Sequence, residues 1–113
     1  MSACGEVDPN DHEDRLEGIR RRFVARSVDR VDELLVAARA VPTFDERRAE
    51  EATSVVHRLA GAAGTFGMPT LAGMAGSLED AMTVARPSDV SPLLLRDLPA
   101  IRNHLSGGDD HAG

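Results

Sequence analysis

The clearest helical signal in the chain is TFDERRAEEATSVVHRLAGAAG, residues 43–64. Thr43 and Glu46 have the spacing of a capping box, which predicts the start of a helix. Gly64 and Gly67 mark its end. Apolar residues recur between these limits every three or four positions, as on the buried stripe of an amphipathic helix: Ala49, Ala52, Val56, Leu59 and Ala63.

Three further segments have the same amphipathic pattern. Residues 11–40 are predicted to form one long helix. It ends there because a proline follows two positions later. Pro69 opens a third helix that ends before Pro87, and Ser91 is the expected cap of a fourth, followed directly by another proline. The stripes predicted to be buried in these three helices are Leu16, Ile19, Phe23, Val31, Leu34 and Ala38, then Leu71, Met74, Leu78 and Met82, and finally Leu94, Leu98, Ile101 and Leu105.

Short connections between four amphipathic helices predict an all-α fold, an antiparallel four-helix bundle. No segment has the pattern of a strand. We expect the helical domain to span residues 11–105, with mobile polar tails at residues 1–10 and 106–113. Pro99 lies inside the fourth helix, where we expect a kink rather than a break, because the apolar spacing continues across it.

Composition and charge exclude several classes of protein. A net charge of −6 disfavours nucleic acid as a partner, because its phosphates would be repelled. No apolar run approaches the roughly 18 residues of a membrane span, and the N-terminal residues lack the pattern of a signal peptide. Cys4 is the only cysteine, which excludes an internal disulfide. We therefore expect a cytoplasmic protein, and a monomer because the helices carry no second apolar stripe.

His57 is the residue of the second helix that suggests chemistry. At about 100° per residue, Ala60, Gly61 and Gly64 share the sector of this imidazole, so no large side chain stands beside it. A glycine at position 61 destabilises the helix by about 1 kcal/mol relative to alanine. A residue that is unfavourable for its local structure often marks a functional site. Imidazole is largely neutral near pH 7, and neutral imidazole is a competent nucleophile. Small neighbours would let a phosphorylated carboxylate of another protein approach it closely.

The stretch VVHRLAGAAGTFGMPTLAGMAGSLEDAM, residues 55–82, resembles the histidine-containing phosphotransfer (HPt) domain family. The motif of that family is a histidine, a hydrophobic residue two positions on, usually Lys at three, Gly at four, small residues, and Gly at ten. One departure is Ala60, which stands where the family commonly has Lys. Arg58 carries a positive charge but points about 100° away from His57. The matching residues are His57, Leu59, Gly61, Ala62, Ala63 and Gly67.

The resemblance implies a phosphocarrier that has no catalytic centre of its own. His57 would accept a phosphoryl group from the aspartate of a receiver domain and pass it to another receiver, with Mg²⁺ held by the receiver. The residues expected to contact the partner are Arg58, Ala60, Gly61 and Gly64. The alternative is an interaction module of the same fold that binds receivers without carrying phosphate.

Neither a metal site nor a nucleotide site is expected in this chain. No two histidines have the i, i+3 or i, i+4 spacing of helical metal ligands. The glycine-rich string GAAGTFG lacks the Lys and Ser or Thr that follow the last glycine of a P-loop. We therefore expect the chain to need no cofactor.

Overall fold

The computed structural model describes residues 9–107, and their side chains from Arg15 onward. These residues form no strand, so the predicted all-α fold is confirmed. The first helix begins two residues before the predicted domain and the last ends two residues after it; the rest of the predicted tails lies outside the described residues. The four helices are α1 (Pro9–Ala40), α2 (Glu46–Thr65), α3 (Pro69–Val84) and α4 (Pro87–Gly107).

The first and last helices pack as antiparallel neighbours. The hydroxyl of Ser91 donates to the carbonyl oxygen of Ala38, and farther along α4 the Arg102 guanidinium donates to the Asp32 carboxylate at 2.8 Å. As α4 runs forward, its partners in α1 therefore run backward. Helices α2 and α3 form the other closely packed pair, whereas α1 and α2 touch each other at few points.

The apolar core runs along the bundle and receives side chains from every helix. The predicted stripes of α2 and α4 are buried throughout. In α3 the stripe runs through Ala75, with Met74 only partly buried. The residues at the centre of the core are Val31, Val56, Ala63, Leu71, Leu78, Leu94, Leu98 and Ile101.

The prediction that Leu16 and Ile19 are buried is wrong, since these side chains are 46% and 39% exposed. At 1.5 Å per residue, the 32 residues of α1 are about 48 Å long and the 20 residues of α2 about 30 Å. Arg20 already contacts the end of α2 at Phe66. The first turns of α1 therefore extend past the helices that would cover them.

Two predicted caps are also wrong. The carboxylate of Asp45, not Thr43, accepts a hydrogen bond from the backbone N–H of Arg48 and caps α2. Helix α4 begins a turn earlier than expected, and Ser91 is buried within it. Its hydroxyl instead lies within hydrogen-bonding distance of carbonyl oxygens at the end of α1. α4 continues through Pro99 without a break.

The turn between α2 and α3 fixes how these two helices meet. Gly67 has a φ of 71°, a left-handed conformation that favours glycine. The N–H of Gly67 donates to the carbonyl of Gly64, and the N–H of Met68 donates to that of Ala63, which is the Schellman pattern. Arg20 of α1 donates twice to the carbonyl oxygen of Phe66 and holds the same turn from outside.

Candidate functional site

His57 lies in the middle of α2, on the side away from the core. Its side chain is 70% exposed, whereas the neighbouring Val56 and Leu59 are buried. This is the arrangement that helical periodicity predicts, because a residue one position from the buried stripe leaves the helix about 100° away from it. The imidazole is therefore accessible to another protein.

One edge of the imidazole is nevertheless engaged. Nδ1 of His57 lies 2.5 Å from Oε2 of Glu79, on the neighbouring helix α3. An ionised carboxylate only accepts hydrogen bonds, so in neutral imidazole Nδ1 carries the proton and donates it. Nε2 then keeps its lone pair. The Glu79 side chain is only 25% exposed, so it holds the ring from the less accessible side.

Our sequence analysis missed Glu79, which lies 22 residues from His57. A signal was available in the turn. Each of the two residues is 11 positions from Met68, at the centre of the connection between α2 and α3. In an antiparallel helical hairpin, residues equally far from the turn lie at similar heights, so a carboxylate opposite His57 was predictable once the turn was placed.

The glycines of the motif leave open surface next to the imidazole. A Cβ atom added to Gly61 or Gly64 would meet no heavy atom of another part of the chain within 4 Å. Both residues are exposed. The surface that they share with His57 is therefore clear, as the predicted sector required.

The other two residues predicted to contact a partner lie elsewhere. Ala60 is half-buried and packs against the core. Arg58 is exposed, but it lines a groove between α1 and α2 on the opposite flank of α2 from Glu79. Gly61 and Gly64 are therefore the two small exposed neighbours of the imidazole, and contact of any of the four residues with a partner stays a prediction.

A shallow acidic groove runs between α2 and α3 on the side of His57 toward the start of α2. Its lining includes Glu46, Glu50 and Glu79. Carboxylates repel an approaching phosphoryl group, which is itself anionic. The open surface over Gly61 and Gly64 is consequently the more favourable approach for a phosphorylated ligand.

Two further features are absent from the part of the chain that the structure describes. No three His, Cys, Asp or Glu side chains there are grouped so that they would hold a metal ion. Within residues 9–107, the helices are too short or too polar to cross a membrane.

Comparison with protein families identifies the bundle. The family model described as Hpt domain matches residues 13–108, which include the whole of α2, α3 and α4 and α1 from its fifth residue. The chain belongs to the Hpt domain family. The resemblance seen in residues 55–82 is thus confirmed over most of the sequence. No curated protein and no solved structure matches the chain significantly.

Membership of this family fixes the general role of the chain. Hpt domains are phosphocarrier modules that serve histidine phosphotransfer in phosphorelays, and they interact with receiver domains of two-component systems. In this Hpt domain, His57 is an exposed histidine on α2 with one ring nitrogen bonded and the other available.

Proposed function

We propose that His57 is the phosphoacceptor of this Hpt domain, which takes a phosphoryl group from the aspartyl phosphate of one receiver domain and passes it to the aspartate of another. The observation that carries the proposal is the hydrogen bond between Nδ1 and Glu79. That bond leaves Nε2 with its lone pair, and His57 shares its sector of α2 with the open surface of Gly61 and Gly64.

In the proposed step, Nε2 of His57 attacks the phosphorus atom of the receiver's aspartyl phosphate. The N–P bond forms as the P–O bond to the aspartate breaks, and the aspartate leaves as a carboxylate with the electron pair. The Nδ1 proton stays on the ring, which becomes positively charged, and the Glu79 carboxylate stabilises that charge. Transfer onward reverses the step, with the carboxylate of a second receiver as the nucleophile.

The two proteins divide the work of catalysis. Phosphoryl transfer depends on positioning and on stabilising the charge of the phosphoryl oxygens. We assign the positioning of the nucleophile to Glu79 and the clear approach to Gly61 and Gly64. We assign charge stabilisation to the receiver, through its Mg²⁺ and acidic pocket, because Ala60 supplies no cation where the family commonly has Lys.

The test is transfer of radioactive phosphate from phosphorylated receiver domains of the same genome. Wild-type protein should acquire label as a phosphoramidate, which is stable in alkali and lost in acid. His57→Gln should abolish labelling, because an amide nitrogen has no available lone pair. It should keep the fold, since an exposed substitution normally changes the free energy of unfolding by less than about 0.5 kcal/mol.

The matched control changes His12 and His111 to Gln together and should leave labelling intact. His104 stays in place because its Nε2 is buried. Receiver binding with no label on wild-type protein would favour the interaction module that carries no phosphate. Equal labelling of His57→Gln would mean that another residue is the acceptor.

A further inference from the structure

The groove between α1 and α2 is deep enough to reach the core. Its volume is about 290 Å³. It exists because these two helices touch each other at few points, and because Ser27 and Ala62, which line it from the two helices, have small side chains. Its apolar lining includes Val31, Val56 and Leu98, each at most 1% exposed. The groove therefore leads from the surface of the bundle to the centre of the core.

This volume is that of a site for a small molecule. Pockets for small ligands begin at roughly 300 Å³, and an apolar cavity of about 150 Å³ holds benzene. In that proportion, about 290 Å³ takes a chain of about eight to twelve carbon atoms. Apolar side chains beside an unfilled space lose contacts with neighbouring atoms, and an apolar ligand would restore them.

Three arginines border the groove. Arg26 and Arg30 belong to α1, and Arg58 belongs to α2. All three are exposed, and none of their guanidinium groups forms an ion pair with a side chain of residues 15–107. In a chain of net charge −6, they form a local positive rim. Such a rim attracts an anionic group and repels a cationic one.

Ser27 is a buried polar residue in the lining of the groove. It is only 6% exposed, and its hydroxyl forms no hydrogen bond with another residue of the described part of the chain. A buried hydroxyl normally has a hydrogen-bond partner. Ser27 and Arg30 are three positions apart on α1, so their side chains are neighbours on one face of the helix. The hydroxyl and the guanidinium can therefore bind the same anionic group.

We propose that this groove binds a small amphipathic anion, namely an aliphatic carboxylate of about eight to twelve carbon atoms. The carboxylate would accept hydrogen bonds from the Ser27 hydroxyl and the Arg30 guanidinium, and charge-assisted bonds of this kind are stronger than neutral ones. The chain would lie against the three buried apolar residues of the lining. Acetate would leave this lining uncovered, and an alcohol of the same length would leave the arginines without an opposite charge. Binding does not involve His57 and is independent of the function proposed above.

The test is a methyl NMR titration with octanoate, below the concentration at which it forms micelles. We expect saturable shifts of the signals of Val31, Val56 and Leu98, with one octanoate bound per chain. Acetate and 1-octanol, which lack the chain and the charge respectively, should bind at least tenfold more weakly. Octanoate should also raise the unfolding temperature as its concentration increases, because a ligand that binds only the folded chain stabilises it.

Variants of the rim and of the lining locate the site. Arg26→Gln/Arg30→Gln should weaken octanoate binding at least tenfold. The matched control Arg21→Gln/Arg22→Gln, exposed on α1 but outside the groove, should change it by less than twofold. Ala62→Leu places a side chain in the space of the ligand and should abolish binding, while circular dichroism should show the same helix content.

Several outcomes would overturn the proposal. No saturable shift, or shifts only at Leu16 and Ile19, the exposed apolar residues near the start of α1, would mean that octanoate does not bind in the groove. Equal affinity for octanoate and 1-octanol would mean that the arginines contribute nothing, and equal affinity for octanoate and acetate would mean the same of the apolar lining. His57→Gln should bind octanoate as the wild type does, so the loss of phosphate labelling leaves this site unaffected.

Discussion

His57 and Glu79 lie equally far from the turn at Met68, and their side chains meet at 2.5 Å because α2 and α3 run antiparallel from it. The hydrogen bond that fixes the imidazole is therefore a product of the helical hairpin. Helix α2 supplies only the histidine of this pair, and α3 supplies only the carboxylate. The ring nitrogen that faces the carboxylate is thus set by tertiary packing between α2 and α3.

Replacing Glu79 should slow phosphate transfer without unfolding the bundle. Glu79→Ala removes the acceptor for Nδ1–H, so the ring protonates either nitrogen and Nε2 is less often the nucleophile. A hydrogen bond with a net contribution of about 1 kcal/mol corresponds to about a fivefold loss of rate. Glu79→Gln keeps a neutral acceptor and should lose less. Nitrogen-15 NMR should show the Nδ1–H form in wild type and a mixture in Glu79→Ala; an unchanged spectrum would contradict the role given to Glu79.

Filling the clear surface beside His57 should block transfer. Gly61→Leu and Gly64→Leu place a side chain where the receiver's phosphoaspartate would approach, so transfer from phosphorylated receiver should fall by at least tenfold. Gly61→Leu should raise the free energy of unfolding by about 0.7 kcal/mol, because leucine favours helix more than glycine does. Gly73→Leu is the control, an exposed helical glycine on α3 with nothing within 4 Å of its added Cβ. If the variants transferred as fast as this control, the surface would not be the route of approach.

Alanine substitutions at Gly67 and Gly64 should change the free energy of unfolding in opposite directions. Gly67→Ala forces a side chain into a left-handed conformation at φ 71° and should lower the free energy of unfolding by about 1 to 2 kcal/mol. Gly64→Ala lies in helical backbone with open space around the new Cβ, so it should raise that free energy by about 0.5 to 1 kcal/mol. Urea denaturation of the two variants measures both values. Equal stability would show that the turn tolerates alanine at position 67.

The buried hydroxyl of Ser91 should contribute measurably to the packing of α4 on α1. It lies within hydrogen-bonding distance of the carbonyl oxygens of Ala38, at 2.9 Å, and Val41, at 3.0 Å. Ser91→Ala leaves these carbonyl oxygens without that donor and should lower the free energy of unfolding by about 1 to 3 kcal/mol. Ser88→Ala, at an exposed position of the same helix, should change it by less than about 0.5 kcal/mol. Thermal or urea unfolding measures the free energy of unfolding of both variants. Equal destabilisation by the two substitutions would argue against this contact.

Local patterns in the sequence were sufficient to predict the four helices and the exposed face of α2. Residues three or four apart share a helical face, so the stripe through Val56 and Leu59 identified the core without knowledge of any neighbour. The same periodicity placed His57 outside that stripe. The glycine that ends α2 was predictable because a left-handed backbone conformation is a property of one residue.

These local patterns could not predict the contacts between helices. The exposure of Leu16 and Ile19 depends on how far α1 extends past its neighbours, and the buried position of Ser91 depends on where α1 ends. The groove between α1 and α2 brings Arg26 and Arg30 of α1 near Arg58 of α2, although each helix by itself has an ordinary mixed-charge surface.

The sequence by itself determined the class of fold, the limits of most helices and the candidate nucleophile, because these follow from interactions within about one helical turn. Only the tertiary structure decided that Glu79 bonds to His57 and that arginines of α1 and α2 border one groove. Those relationships depend on the register and separation of whole helices. They are set by the summed packing of the core rather than by any single residue.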